Sequence, residues 1–383
     1  MRGKVAYDGG GVRPMIIQRA YKTKLRLNDR QRTWALQCSG AARWCYNWGL
    51  EAMIKARENG RKTSVLAEKK RLNAIKDEVA PWLRDVPYVV LQGAFDNLDA
   101  AYKNFFRRVK AKDTKAGFPK FKSRKRGIMP FSLRGHLLVT ATHIRLPRIG
   151  LVRLAEKGYL PVDDVRILSA TVSESAGEWF VSLQVEQTIP DPEPATGPAI
   201  GVDLGLHTLA VFSNGVSFDN ERPLKMALRK LRRLSREMSR RKEGGRNWTK
   251  TKNNLARMHA KVRSVRRHLL HEISSYAVAR AKPQTIVLED LNVRGMMARH
   301  TLAQAVGDVG MAELRRQIEY KAAWNGVRVM FADRFYPSSK KCSACGYIKA
   351  DLRRSDRTYV CESCGVVLDR DLNAAINLAA LAG

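Results

Sequence analysis

The chain has 383 residues, and its 70 Lys and Arg outnumber 36 Asp and Glu to give a formal net charge of +34. With 44% hydrophobic residues it can bury a sizeable core, which excludes a wholly disordered basic tail, and its length suits two or three domains. No apolar run reaches eighteen residues and the N-terminus carries no apolar signal segment, so the surplus charge points to a polyanion, nucleic acid before a membrane surface.

Residues 1–14, which contain Gly9-Gly10-Gly11, read as a flexible leader. Tyr21, Thr23, Leu25 and Leu27 then alternate with Lys22, Lys24 and Arg26, a period of two that predicts a strand with one basic face. Asn28 and Gln31 form a capping-box pair. Behind them Trp34, Cys38, Ala41, Cys45, Trp48 and Ala52 recur three and four apart, which is one apolar face of a helix. Cys38 and Cys45 are therefore read as small core residues. More helix is expected at 66–79 and 89–109, so residues 28–127 read as a helical domain that ends in a basic linker. From 131 to 187, short runs rich in Val, Ile, Leu and Thr are separated by Gly and Pro. That pattern predicts a small β barrel built from residues 15–27 and 128–190, with the helices inserted between its strands.

Beyond the Pro-rich stretch at 191–198, two apolar runs at 199–204 and 210–212 read as strands. Residues 223–280 are helical and strongly basic, with KEGGRNW as the turn of an antiparallel pair. A strand (TIVLED), a Gly-interrupted loop, a helix near 310–324 and a strand (VRVMFA) follow, and a short helix at 372–382 closes the chain.

Two motifs carry chemistry. Cys342, Cys345, Cys361 and Cys364 form C-x2-C-x15-C-x2-C, the spacing of a tetrahedral zinc site, with Gly346 and Gly365 behind each knuckle. Four thiolates leave no open position, so one structural zinc is expected. Asp203 ends the apolar run AIGVD, Glu289 ends TIVLE, and Asp369 or Asp371 starts the last helix. A buried strand tolerates a carboxylate poorly unless it is paired or binds a metal. Three such groups could converge on two divalent cations, Mg²⁺ with Mn²⁺ able to substitute. Each alone also fits a solvated strand end, and Asp369 or Asp371 fits a helix N-cap.

The blocks AIGVDLGLHTLAVFSNG, TIVLEDLNVRGM, RFYPSSKKCSACGYIKADLRRSDRTYVCESCG and LDRDLNAAINLA resemble TnpB, the insertion-sequence RNA-guided nuclease family related to type V CRISPR effectors. Weaker likeness in WCYNWGLE and VVLQGAFDNLDAAYKNFF extends the resemblance over nearly the whole chain. The resemblance implies a multidomain α+β protein. Residues 199–340 and 366–383 would form a RuvC-like (RNase H-type) α/β nuclease domain, containing the basic hairpin at 223–280. Residues 341–365 would be an inserted zinc ribbon, the β barrel a wedge domain and the helical insertion a recognition domain. Asp203, Glu289 and Asp371 match the three catalytic, magnesium-binding carboxylates, Asp371 being preferred over Asp369 because it precedes Asn373-Ala374-Ala375. The implied activity is RNA-guided DNA endonuclease action: a guide (omega) RNA, a short motif beside the target, and cleavage of double-stranded DNA at one site by two-metal phosphodiester hydrolysis. A monomeric protein in a cytoplasmic, nucleoid-associated ribonucleoprotein of a prokaryote is expected.

Guide RNA and RNA–DNA heteroduplex would be held through backbone phosphates. Lys120, Lys122, Arg124, Arg229 and Arg233 are candidates for that contact. The resemblance makes Tyr46, Asn47 and Gln92 candidates for reading bases, since an amide can pair with adenine, while Tyr46 and Gln92 also fit residues that only pack or cap their helices. Arg357 could hold a phosphate near the carboxylates or belong to the ribbon surface. Three rivals stay open: a nuclease-inactive RNA-guided DNA-binding regulator, a transposase proper, and a small CRISPR effector.

Overall fold

The computed structural model describes residues 14–353 and 355–383. All of the expected leader but its last residue lies outside them. The chain divides into two units, meeting in sequence at Asp191 and Pro192.

In the first unit a long strand β1 (Pro14–Arg26) leads into helices α1 (Asp29–Glu58), α2 (Val65–Val79) and α3 (Tyr88–Lys110). Strands β2 (Phe131–Leu133), β3 (Leu138–Val139), β4 (His143–Leu146), β5 (Gly150–Leu154), β6 (Val165–Ser175) and β7 (Glu178–Pro190) follow. They form one antiparallel sheet in the order β2-β6-β7-β1-β5-β4-β3. The first strand therefore pairs with the last, from Pro14↔Pro190 to Leu25↔Trp179. Asn28 does cap α1: its side chain accepts from the Gln31 amide at 2.9 Å, and Gln31 returns the bond at 3.1 Å. Cys38, Cys45, Phe95 and Leu98 share one buried cluster with Leu25, Val181 and Leu183 of the sheet. Gly49 lets α1 come close to α3, because a Cβ there would lie 2.8 Å from the Phe95 ring.

The second unit holds β8 (Ile200–Leu204), β9 (Thr208–Phe212), β10 (Ser217–Asp219), α4 (Pro223–Ser239) and α5 (Arg246–Ser275), which runs into a π turn. It continues with β11 (Thr285–Glu289), α6 (Val293–Ala298), α7 (His300–Val309), α8 (Met311–Trp324) and β12 (Arg328–Ala332). A two-stranded ladder, β13 (Thr358–Val360) and β14 (Val367–Asp369), and α9 (Arg370–Ala379) end the chain. The main sheet has the order β10-β9-β8-β11-β12, with β8, β11 and β12 parallel. Period-two alternation splits its two faces. Ile200, Val202, Ile286 and Leu288 cluster with Leu269, Ile273, Leu314 and Ile318 of α5 and α8. Val287 and Ala332, on the opposite face, cluster with Leu378 of α9. Gly201 also faces α9: a Cβ there would sit 2.0 Å from the Ala375 carbonyl oxygen.

Candidate active site

Asp203 sits two residues after Gly201, so its side chain points to the α9 face of the sheet. The β8–β11 register runs Ile200↔Ile286 to Val202↔Leu288, and one step further brings Asp203 beside Glu289 on that same face. Both lie at the carboxyl ends of parallel strands, where open α/β sheets form their clefts. Gly205, next but one, allows the tight β8–β9 turn, since a Cβ would lie 2.5 Å from the Thr208 carbonyl oxygen.

The third carboxylate comes from the start of α9. Asp369 is the N-cap, its Oδ1 accepting from the amides of Asp371 and Leu372 at 2.9 Å each. That occupies Asp369 and leaves Asp371, in the first turn and buried, to face the strands. Burial raises the Asp203 pKa well above the usual carboxylate range, and Glu289 and then Asp371 push it further, while Arg370 pulls the other way. Asp203 thus senses both of the other acids. Glu289 accepts from the Ser338 hydroxyl at 2.6 Å, and Asp371 Oδ1 accepts from Arg370 Nε at 3.0 Å and from a terminal guanidinium nitrogen at 2.7 Å. Asp290, Glu289's neighbour, is committed elsewhere: it is ion-paired with Arg334 and, at 3.2 Å, with Arg315. Hydrogen bonding to Arg334 holds its carboxyl below the usual range.

Three oxygen-donor groups on one face, one of them penalised for its charge, make a donor set for hard divalent cations. Among the described residues, the only group whose ligand atoms all lie within 4.8 Å of one another is the four cysteines. The three carboxylates do not all lie within that distance of one another.

Sulfur separations of 3.7 Å (Cys342–Cys364) and 3.6 Å (Cys345–Cys361) match the edge of a zinc–thiolate tetrahedron, about 3.8 Å for bonds near 2.3 Å. The Cys364 amide, donating to Cys361 Sγ at 3.5 Å, brings that thiol down to about 6. The four cysteines therefore fit one structural zinc.

Sequence reasoning missed the residues that tie this cluster to α9. Asn373 accepts from the Ser343 amide at 2.9 Å and donates to the Lys341 carbonyl at 2.8 Å. Asn377 donates to the same carbonyl at 2.6 Å and to that of Ser338 at 2.8 Å. Spaced four apart, the two amides project from one face of α9 onto the first cysteine knuckle. Their side-by-side spacing was the available signal.

Two clefts open beside the carboxylates. One, of 360 Å³, is lined by Glu289 and by Arg294, Arg315, Arg316 and Arg334. The other, of 460 Å³, is lined by His207, Arg222, Lys225, Gln304 and Arg357. Arg357 also lies 3.6 Å from Asp371 Oδ2.

The proposed base readers are placed unevenly. Tyr46 is only 2% exposed and lies in the α1 core, in line with the buried Ala42 and Leu50 four residues to either side. Lys122 covers its ring at 4.8 Å. Asn47 is half-buried and exchanges bonds with the Lys122 backbone at 2.7 and 2.9 Å, and Gln92 is half-buried on α3. Lys120, Lys122 and Arg124 are exposed in the linker, and Arg229 and Arg233 on α4. Tyr46, Lys120 and Lys122 line one 620 Å³ cleft with Arg43.

Comparison with known proteins is consistent along the chain. Residues 180–300 match the family described as "Probable transposase" and residues 312–378 that described as "Cas12f1-like, TNB domain". Residues 15–62 match one described as "Helix-turn-helix domain", although here they fold as β1 and the single long helix α1. A Streptomyces pristinaespiralis protein named "Putative RNA-guided DNA endonuclease" is 34% identical over 95% of this chain and 89% of its own length. An Escherichia coli K12 protein whose name carries the same description, InsQ, is 31% identical over 94% and 91%. The structure titled "Cryo-EM structure of the Cas12f1-sgRNA-target DNA complex" is similar with a TM-score of 0.54 and 12% identity, over 95% of this chain and 99% of that one, a likeness of fold alone.

Proposed function

The chain belongs to the TnpB family, and on that footing we propose that it is an RNA-guided DNA endonuclease that cuts at Asp203, Glu289 and Asp371. The observation that carries the reading is the placing of these three carboxylates toward one end of the parallel strands, with the Asp203 charge disfavoured by burial and then by Glu289 and Asp371.

In this reading residues 199–340 and 366–383 are a RuvC-like domain and 341–365 its inserted zinc ribbon. The antiparallel sheet of 15–27 and 128–190, expected as a barrel, is the wedge, and 28–127 the recognition domain. Mg²⁺ held by Asp203, Glu289 and Asp371 would supply Lewis acidity to activate a water and offset charge on the phosphodiester. The chain's own residues orient and hold. Asp203 and Asp371 approach from strand and helix, Glu289 is fixed by Ser338, and the arginine-lined cleft that includes Glu289 receives a phosphate flanking the scissile bond. Guide RNA and heteroduplex are held through backbone contacts by exposed cations such as Lys120, Lys122, Arg124, Arg229 and Arg233. The particle is read as one protein chain with its RNA, acting in the prokaryotic cytoplasm.

The test is to purify the protein with RNA from its own locus and offer duplexes bearing a guide match beside a randomised flank. Guide-dependent, Mg²⁺-dependent cleavage supports the reading. Guide-dependent binding without cleavage would replace it with a DNA-binding regulator, and strand joining without guide RNA with a transposase.

A further inference from the structure

We propose that Arg370 is an internal counter-cation of the carboxylate cluster, holding the Asp371 oxygen that a divalent cation would take. The inference rests on the reading of Asp203, Glu289 and Asp371 as the metal-binding site.

Arg370 lies against Asp371 Oδ1 through two nitrogens, at 3.0 and 2.7 Å, and the two side chains are 16% and 11% exposed. A pair so enclosed is screened far less than a surface ion pair. The position itself is informative. Asp369 is the N-cap of α9, so Arg370 is the first helical residue, where the positive end of the helix dipole disfavours a cation. The helix nonetheless begins with an arginine turned inward, in a chain with a large surplus of outward-facing cations. What offsets the unfavourable end is the carboxylate cluster. The backbone fixes the geometry, since the Arg370 amide donates to the Arg357 carbonyl at 2.8 Å and so anchors the residue to the ribbon ladder.

The consequence is competition. A cation that takes Asp371 Oδ1 must displace the guanidinium, so the protein without nucleic acid binds divalent cations more weakly than its three carboxylates would alone. Arg370 is a positioning residue in this account. It touches a ligand of the metal, not the metal.

The experiment is a calorimetric Mn²⁺ titration of the zinc-loaded full chain without nucleic acid, repeated for variants. Arg370→Met should bind about tenfold more tightly, the size expected when a neighbouring opposite charge is removed, and Arg370→Lys should stay near the unmutated value. Unchanged or weaker binding by Arg370→Met, with zinc content and circular dichroism intact, overturns the proposal. Should that variant lose zinc, Arg370→Gln is titrated against the same two outcomes. Asp203→Ala separates the layers. If it leaves Mn²⁺ binding unchanged, the carboxylate reading falls and the counter-cation with it. If it abolishes binding while Arg370→Met has no effect, only the counter-cation falls.

Discussion

The backbone amide of Arg370 donates to the carbonyl of Arg357 at 2.8 Å, one rung beyond the Thr358↔Asp369 pair of the β13–β14 ladder. The cysteine cluster and the helix that carries Asp371 are therefore parts of one construction. Asn373 and Asn377 fasten the other side, bonding the backbone at Ser338, Lys341 and Ser343.

Zinc should accordingly matter for a site it does not enter. The purified chain should hold about one zinc, and chelation or Cys361→Ser should free the knuckle from α9. Hydrogen exchange over 370–378 should then quicken, and cleavage should fall in step with zinc content. Full activity in zinc-free protein would show that α9 is held without the ribbon.

Gly201→Ala should be severe for so small a change. Its Cβ would meet the Ala375 carbonyl at 2.0 Å and the Ala379 amide nitrogen at 2.5 Å, backbone atoms that cannot swing aside. Overpacking of this kind costs about 1–3 kcal/mol. A lowered melting temperature together with weaker Mn²⁺ binding is expected, because α9 carries Asp371 away from β8.

Asp203 gives a pH-dependent prediction. Burial and its acidic neighbours raise its folded pKa, so the folded state keeps a proton that the unfolded chain has released. Stability of the metal-free protein should fall as pH rises from the ordinary aspartate value through the raised one. Asp203→Asn removes that loss. In zinc-loaded protein without added Mg²⁺ at neutral pH it should melt a few degrees above the unmutated protein, while showing no cleavage when Mg²⁺ is supplied.

Glu68 behaves in the opposite sense. It is 1% exposed, and although burial opposes its charge, hydrogen bonds from Thr63, Arg71 and Arg61 hold its carboxyl below the usual range. Its contribution is therefore present above the ordinary glutamate value and lost as pH falls through the lowered one. Glu68→Gln should destabilise the first unit at neutral pH by on the order of 1–3 kcal/mol, the arginines being half exposed. The difference should shrink in acid, as urea unfolding at two pH values would show.

The sequence made some of this legible and not the rest, for physical reasons. Asp203 and Glu289 were visible because a carboxylate at the end of an apolar strand contradicts its surroundings. The cysteines were visible because ligand spacing is local. The Asn28–Gln31 cap is local too, and it formed as expected. Asn373 and Asn377, four apart, signalled a shared polar face, but not what it fastens, because their partners lie thirty or more residues away. The pairing of β1 with β7 was opaque, since only the folded register reveals it. Tyr46 was offered as a base reader from resemblance alone, and its burial in α1 was not visible in the apolar pattern read from Trp34 to Ala52.

The most direct test of the central claim is cleavage of a guide-matched duplex by the zinc-loaded protein–RNA particle, with or without added Mg²⁺, for the unmutated chain and for Asp203→Ala, Glu289→Ala and Asp371→Ala. The account predicts cutting that needs both guide and Mg²⁺ and is lost in each variant while guide-dependent DNA binding persists. Cutting that survives any of the three substitutions would contradict it.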